Sequence, residues 1–138
     1  MKNLIIIVAF LLFSSSALLA QKKPYNVVFD ITSKDTTDHR MILRWIDEIL
    51  KESPNANIEV VFYAKSLDLV VEGKSIAAET VKDLVKRKNV IFNVCTVAMK
   101  NNKIEKSQLL PGVKTVPDGI YEIISKQADG WGYIKVSH

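Results

Sequence analysis

A chain of 138 residues, 48% of them apolar and 25% charged, has enough material for one packed core and not for two ordinary domains. Its net charge of +4 comes from scattered lysines, the densest group being Lys82, Lys86, Arg87 and Lys88. No aromatic residues interleave with that group, which fits a solvated helix face and argues against nucleic-acid binding.

Residues 1–20 read as a secretory signal peptide. Lys2 supplies the positive start, residues 4–13 are an unbroken apolar run, and residues 14–20 form a small-residue exit. The run is short for a membrane span. Cleavage is expected after Ala20, with Ala17 as the alternative. Residues 21–138 then form one exported domain, periplasmic or secreted, with no stable membrane insertion.

The mature chain opens with a strand over 26–32, apolar at its centre. Residues 33–38 are rich in helix-capping side chains, and the following helix carries Met41, Ile42, Trp45, Ile46, Ile49 and Leu50 on one wide face. Pro54 ends it. A second strand spans 58–63. Residues 64–73 are apolar without a clean period and fit either a helical turn or a short extra strand.

A helix over 75–86 turns Ile76, Val81, Leu84 and Val85 inward, and a buried strand over 90–94 runs directly into a helix stopped by Asn101 and Asn102. The tail gives a turn over 107–110 and a brief strand over 113–116. A helix over 120–127 follows, with Ile120, Ile123 and Ile124 inward, then a closing strand over 130–136. Alternating strands and helices predict a single three-layer α/β domain, with a mostly parallel sheet of about five strands flanked by helices. The 90–94 strand is expected at its centre.

Most familiar chemistries lack their residues. There is no glycine-rich phosphate loop, no paired-cysteine metal pattern and no Gly-x-Ser-x-Gly elbow, so no hydrolase, kinase or dehydrogenase signature exists. The histidines are His39 and His138, too few for a histidine-rich metal site, and no cofactor is implied. With one cysteine the chain has neither an internal disulfide nor a dithiol redox couple.

That cysteine, Cys95, falls where a strand ends and a helix begins, in the crevice where α/β folds bind ligands. Backbone N–H groups at a helix start favour the thiolate there. Asp38 and His39 follow the first strand at the same sheet edge. A Cys–His contact would activate the thiol; alternatively Asp38 caps the helix and His39 is exposed. Trp131, between Gly130 and Gly132, either lines a pocket or subunit contact, or plugs the sheet edge.

The runs Val90-Ile91-Phe92-Asn93-Val94-Cys95, Ile104-Glu105-Lys106-Ser107-Gln108-Leu109-Leu110-Pro111-Gly112-Val113 and Val116-Pro117-Asp118-Gly119-Ile120-Tyr121-Glu122-Ile123, with Lys126-Gln127 and Gly130-Trp131-Gly132-Tyr133, resemble the DsrE/DsrF-like family in order and spacing. The resemblance implies a small flavodoxin-like domain that assembles as a homo-oligomer, a trimer or hexamer. It also implies that Cys95 carries sulfur as a persulfide, received from or passed to a partner protein. Thr96-Val97-Ala98 departs from the polar residue and Asn-Thr that often follow the family's cysteine.

Two functions are therefore expected as alternatives. One is an exported, thiol-dependent sulfur-handling or sulfur-carrier accessory protein using Cys95, its only route to catalysis being persulfide transfer. The other is a non-catalytic oligomeric module that binds a small ligand or protein and keeps Cys95 as a structural residue.

Overall fold

The computed structural model describes residues 24–138, so the expected signal peptide lies outside the described residues. Five strands, β1 (Asn26–Ile31), β2 (Asn57–Phe62), β3 (Val90–Cys95), β4 (Lys114–Val116) and β5 (Gly132–Val136), alternate with four helices, α1 (Thr36–Glu52), α2 (Ala78–Val85), α3 (Thr96–Asn101) and α4 (Gly119–Ala128). The ambiguous stretch after β2 resolves into a 3-10 turn, Ser66–Val70, followed by a single bridge between Val71 and Leu109.

Every strand pairing is parallel, in the order β4-β3-β2-β1-β5. The middle strand is thus β2, and β3 lies one place toward the edge. The chain fixes the layers. Steps from β1 to β4 all run one way across the sheet, whereas the return from β4 to β5 runs the other way. Right-handed crossovers in both directions put α1, α2 and α3 on one face and α4 on the opposite face.

The first face holds most of the core. Phe29, Ile31, Val60, Phe62, Phe92 and Val94 pack beneath Ile42, Ile46 and Val81, and the Phe62 and Phe92 rings lie 5.4 Å apart. Such packed aromatic pairs add about 0.5–1.5 kcal/mol beyond their burial. Asp35 caps α1, its Oδ1 accepting from the Thr37 N–H at 2.7 Å. The expected helix over 75–86 is shorter than its apolar pattern. Ser75 accepts from the Ala77 N–H in a local turn, delaying the helix to Ala78 and leaving Ile76 exposed.

The second face is thinly covered. Val28, Val61 and Ile123 form its small apolar cluster, with Trp131 against it. Only Ile123 of the three expected inward isoleucines is buried, because α4 lies alone on its face of the sheet and meets it along one narrow stripe. Polar anchoring supplements the packing. Glu59 is fully buried under α4 and accepts from Asn93 Nδ2 at 2.8 Å on Oε1. Its Oε2 has no aligned hydrogen bond and is held by Lys126 Nζ at 2.8 Å. Burial works against the charge on Lys126, but Glu59 and Glu122 outweigh it and keep the ammonium above its usual range. Burial and the neighbouring Glu59 push the Glu122 carboxyl up.

A second polar tie closes the chain's end onto α1. Asp38 is buried, and His138 Nδ1 lies 2.9 Å from its Oδ1. Burial alone would raise Asp38, but hydrogen bonds from His138 and Ser33 outweigh it and lower its carboxyl below the usual range. His138 is raised by that bond and by the charges of Asp38 and Asp35. Among the described residues no helix is long and apolar enough to cross a membrane.

Two measurements test these ties. Lys126→Met leaves Glu59 buried without its cation and should cost about 3 kcal/mol in urea unfolding, with much of the loss recovered on adding Glu59→Gln. For His138, a raised folded pKa means its contribution is complete below the unfolded value of about 6.5 and fades as pH rises through the folded one. Its Asp38 partner loses its share only as pH falls through a depressed carboxyl value. The stability gap between the native chain and His138→Gln should therefore be widest between about pH 5 and 6 and shrink above about pH 7. Taking that difference cancels the opposing contribution of buried His39, whose imidazole burial holds low.

Candidate functional site

β3 ends at Cys95, and Thr96-Val97-Ala98-Met99 turns directly into α3. Cys95 is extended (φ −66°, ψ 122°) and is the N-cap residue of α3, without a side-chain capping bond. By strand alternation it shares a face with Asn93, the face beneath α4. Its surface is 6% exposed.

What covers Cys95 is the first residue of α4. A Cβ on Gly119 would lie 3.1 Å from Cys95 Cβ and 3.0 Å from Val61 Cγ1, so a larger residue there would push Val61 or Cys95 back by a few tenths of an ångström. Thr96 Oγ1 donates to the Pro117 carbonyl at 3.0 Å, tying the start of α3 to the turn that launches α4. Asp118 caps that turn, its Oδ1 accepting from the N–H groups of Ile120 (2.9 Å) and Tyr121 (3.3 Å).

Cys95 opens onto a cleft of about 490 Å³ whose walls include Tyr63, Lys65, Val97, Asn102, Asp118 and Ile120. Asn102 staples one wall: its Nδ2 donates to the carbonyls of Ala64 (2.6 Å) and Ala98 (2.7 Å), and Lys65 Nζ approaches its Oδ1 at 3.4 Å. Behind Tyr63, buried Asp30 accepts from Tyr133 Oη (2.7 Å) and Lys135 Nζ (3.0 Å). Burial and Asp30 push the Tyr63 phenol far above its ordinary value, and the Asp30 hydrogen bond pushes Tyr133 up to about 12. Both phenols remain protonated at neutral pH, so neither is a base for the thiol.

The four residues singled out in the sequence do not gather. His39 is buried in the first turn of α1, on the opposite sheet face from Cys95, and its Nε2 donates to the Ser33 carbonyl at 3.1 Å. Asp38 is bound to His138. The alternative expectation for this pair is also corrected: Asp35 rather than Asp38 caps the helix, and His39 is buried rather than exposed. Trp131 precedes β5, at the end of the sheet away from Cys95, with Lys126 Nζ 4.6 Å from its ring centroid. Gly130 before it takes φ +83° to end α4.

Tyr63, Asn102 and Asp118 escaped the sequence reading of the site. Only Asp118 carried a local signal, as the aspartate of a Pro-Asp-Gly stop just before a helix. Among the described residues no three His, Cys, Asp or Glu side chains gather as a metal-binding group.

Comparison with known proteins fits this geometry. The protein of unknown function MTH1491 from Methanobacterium thermoautotrophicum superposes with a TM-score of 0.75 at 26% identity, over 80% of this chain and 98% of that one. The ychN protein from E. coli gives 0.68 at 12% identity, over 81% and 98%. The conserved protein of unknown function BT1422 from Bacteroides thetaiotaomicron gives 0.66 at 12%, over 81% and 95%. No curated protein sequence matches the chain. The family model that describes DsrE/DsrF-like proteins matches residues 26–136, nearly everything from the first strand to the last. The chain belongs to the DsrE/DsrF-like family.

Proposed function

We propose that this protein handles sulfur through Cys95, as an exported accessory protein that takes up sulfane sulfur and passes it on. The family's general link to sulfur relay supports the class of chemistry. The observation that carries the role is the position of Cys95, the single thiol of the chain, at the C-terminal end of β3 and in the wall of the cleft. Gly119, the first residue of α4, lies against Cys95 and α3 begins at the next residue, so the starts of two helices meet at the thiol.

The step is a sulfur transfer that balances without an external oxidant. The Cys95 thiolate attacks the terminal sulfur of a persulfide R–S–S–H, a Cys–S–S–H bond forms, the donor S–S bond breaks, and R–S⁻ departs. Transfer onward is the reverse, with an acceptor thiolate attacking the outer sulfur on Cys95.

A second reading has its own support. Cys95 is 6% exposed and lies against Gly119, as a packed structural cysteine would. In that case the cleft belongs to an oligomeric binding module. Both readings share an assembly proposal, a homo-oligomer, trimer or hexamer. Its support is the outer side of α4, where Ile120, Tyr121 and Ile124 are 57, 69 and 56% exposed, an apolar surface that self-association would cover.

Incubating the native protein with a persulfide donor should add the mass of one sulfur atom, removable by a thiol reductant. Cys95→Ser should abolish the addition while leaving circular dichroism unchanged. A thiol that takes up no sulfur until the chain is denatured, or a Cys95→Ser variant that unfolds, assigns Cys95 to the core and the protein to the binding-module reading. For assembly, light scattering at micromolar concentration should give three or six times the chain mass, and Ile124→Asp should lower it. A monomer throughout the accessible range would remove the oligomer proposal.

A further inference from the structure

We propose that the Cys95 cleft selects by charge, admitting uncharged sulfur compounds with an apolar substituent and turning anionic ones away, with Asp118 as the residue that sets the preference. The identity of the ligand as a sulfur compound rests on the role proposed for Cys95; the charge preference rests on the cleft alone.

A helix start beside a thiol ordinarily attracts anions through its unpaired N–H groups. In α4 two of those donors are already engaged. Asp118 Oδ1 accepts from Ile120 N and Tyr121 N, so at those two positions the end of the helix facing the cleft presents a carboxylate in place of free N–H groups. Lys65, the cation in the cleft wall, adds one positive charge against that negative one, and its Nζ is drawn 3.4 Å from Asn102 Oδ1. The lining therefore carries no surplus of positive charge with which to hold an anion.

Apart from the amides of Asn101 and Asn102, most of the remaining lining is carbon. Val97 and Ile120 stand 53 and 57% exposed, and Ala98 and Tyr63 line the same cleft. An apolar substituent covers those carbon groups, whereas a carboxylate or sulfonate would be desolvated against them.

The chemistry of transfer points the same way. The electrophile is the neutral R–S–S–H, since an ionised persulfide and a thiolate repel each other. Attack by Cys95 releases R–S⁻, and an anion formed beside Asp118 is repelled from the cleft. Charge selection at this position thus favours entry of the reactive form and departure of the product.

Iodoacetamide and iodoacetate test the charge rule, being near-isosteric alkylating agents of charge zero and minus one. On the native protein at low ionic strength, iodoacetate should lag iodoacetamide by about fivefold more than it does on the urea-unfolded chain. That excess should shrink at high salt as the carboxylate is screened. Asp118→Asn keeps a good helix cap and removes the charge, and should cut the excess by about two- to threefold. An iodoacetate lag equal to that of the unfolded chain overturns the proposal, as does a thiol silent to both reagents in the native state. An excess unchanged in Asp118→Asn overturns the role of Asp118.

Sulfur loading separates this proposal from the one beneath it. Benzyl persulfide should load Cys95 faster than the persulfide of 3-mercaptopropionate. Equal loading removes charge selection. Charge-selective alkylation with no sulfur uptake from either donor leaves selection standing and removes the sulfur-acceptor role.

Discussion

A parallel sheet must be covered on both faces, and here one helix covers the second. On the α1 side three helices share the work of excluding water from Phe29, Phe62 and Phe92. On the other side α4 stands over Val28 and Val61 with a single buried side chain, Ile123. What holds it is a combination of that contact, the Lys126–Glu59 pair near its C-terminal end, and Gly119 pressed against Cys95 at its N-terminal end. The thiol, its cleft and the apolar outer surface all follow from how this one helix is seated.

The buried pair does more for geometry than for net stability. Removing two charges from water costs several kcal/mol per ion before their attraction returns it, and a well-packed apolar pair of similar volume often does as well. A charged contact tolerates less sliding than an apolar one, because Glu59 Oε2 has no alternative partner. For a helix whose first residue must approach a cysteine within van der Waals distance, that constraint on position has a use. The approach also helps set the exposure of Cys95, which lies beneath the glycine turn that starts α4.

Much of this architecture was legible in the residues. Five strands in order, the parallel sheet and the Cys95 junction follow from short apolar runs alternating with amphipathic segments, and the family from the resemblance of particular runs between Val90 and Tyr133. What periodicity cannot give is the extent of the surface a helix will find. Ile120, Ile123 and Ile124 form a helical stripe that looks equally inward at all three positions, yet this lone helix on its sheet face buries only one. Nor could spacing have chosen among Asp35 and Asp38 as the cap, since either is a good acceptor; Asp38 instead meets His138, 100 residues away. The polar partners of the site are long-range in the same way. Tyr133 and Lys135 meet Asp30 across more than a hundred residues, and Asn102 reaches Ala64 across 38.

The pairing of β1 with β5 carries a consequence for how the chain is made. β1 is the first strand to leave the ribosome, and its neighbour on one side, β5, is the last, so the sheet cannot be closed until Val136 has been synthesised. Until then the β1 edge beside Asp30 stays open, and α4, although it settles on β1 and β2, lacks the strand that follows it. Non-local parallel pairings of this kind fold slowly and leave strand edges open to other chains. A cell would need to shield the nascent chain through this interval, and a ribosome-stalled fragment ending at Asp129 should be bound by holdase chaperones while the completed chain is not.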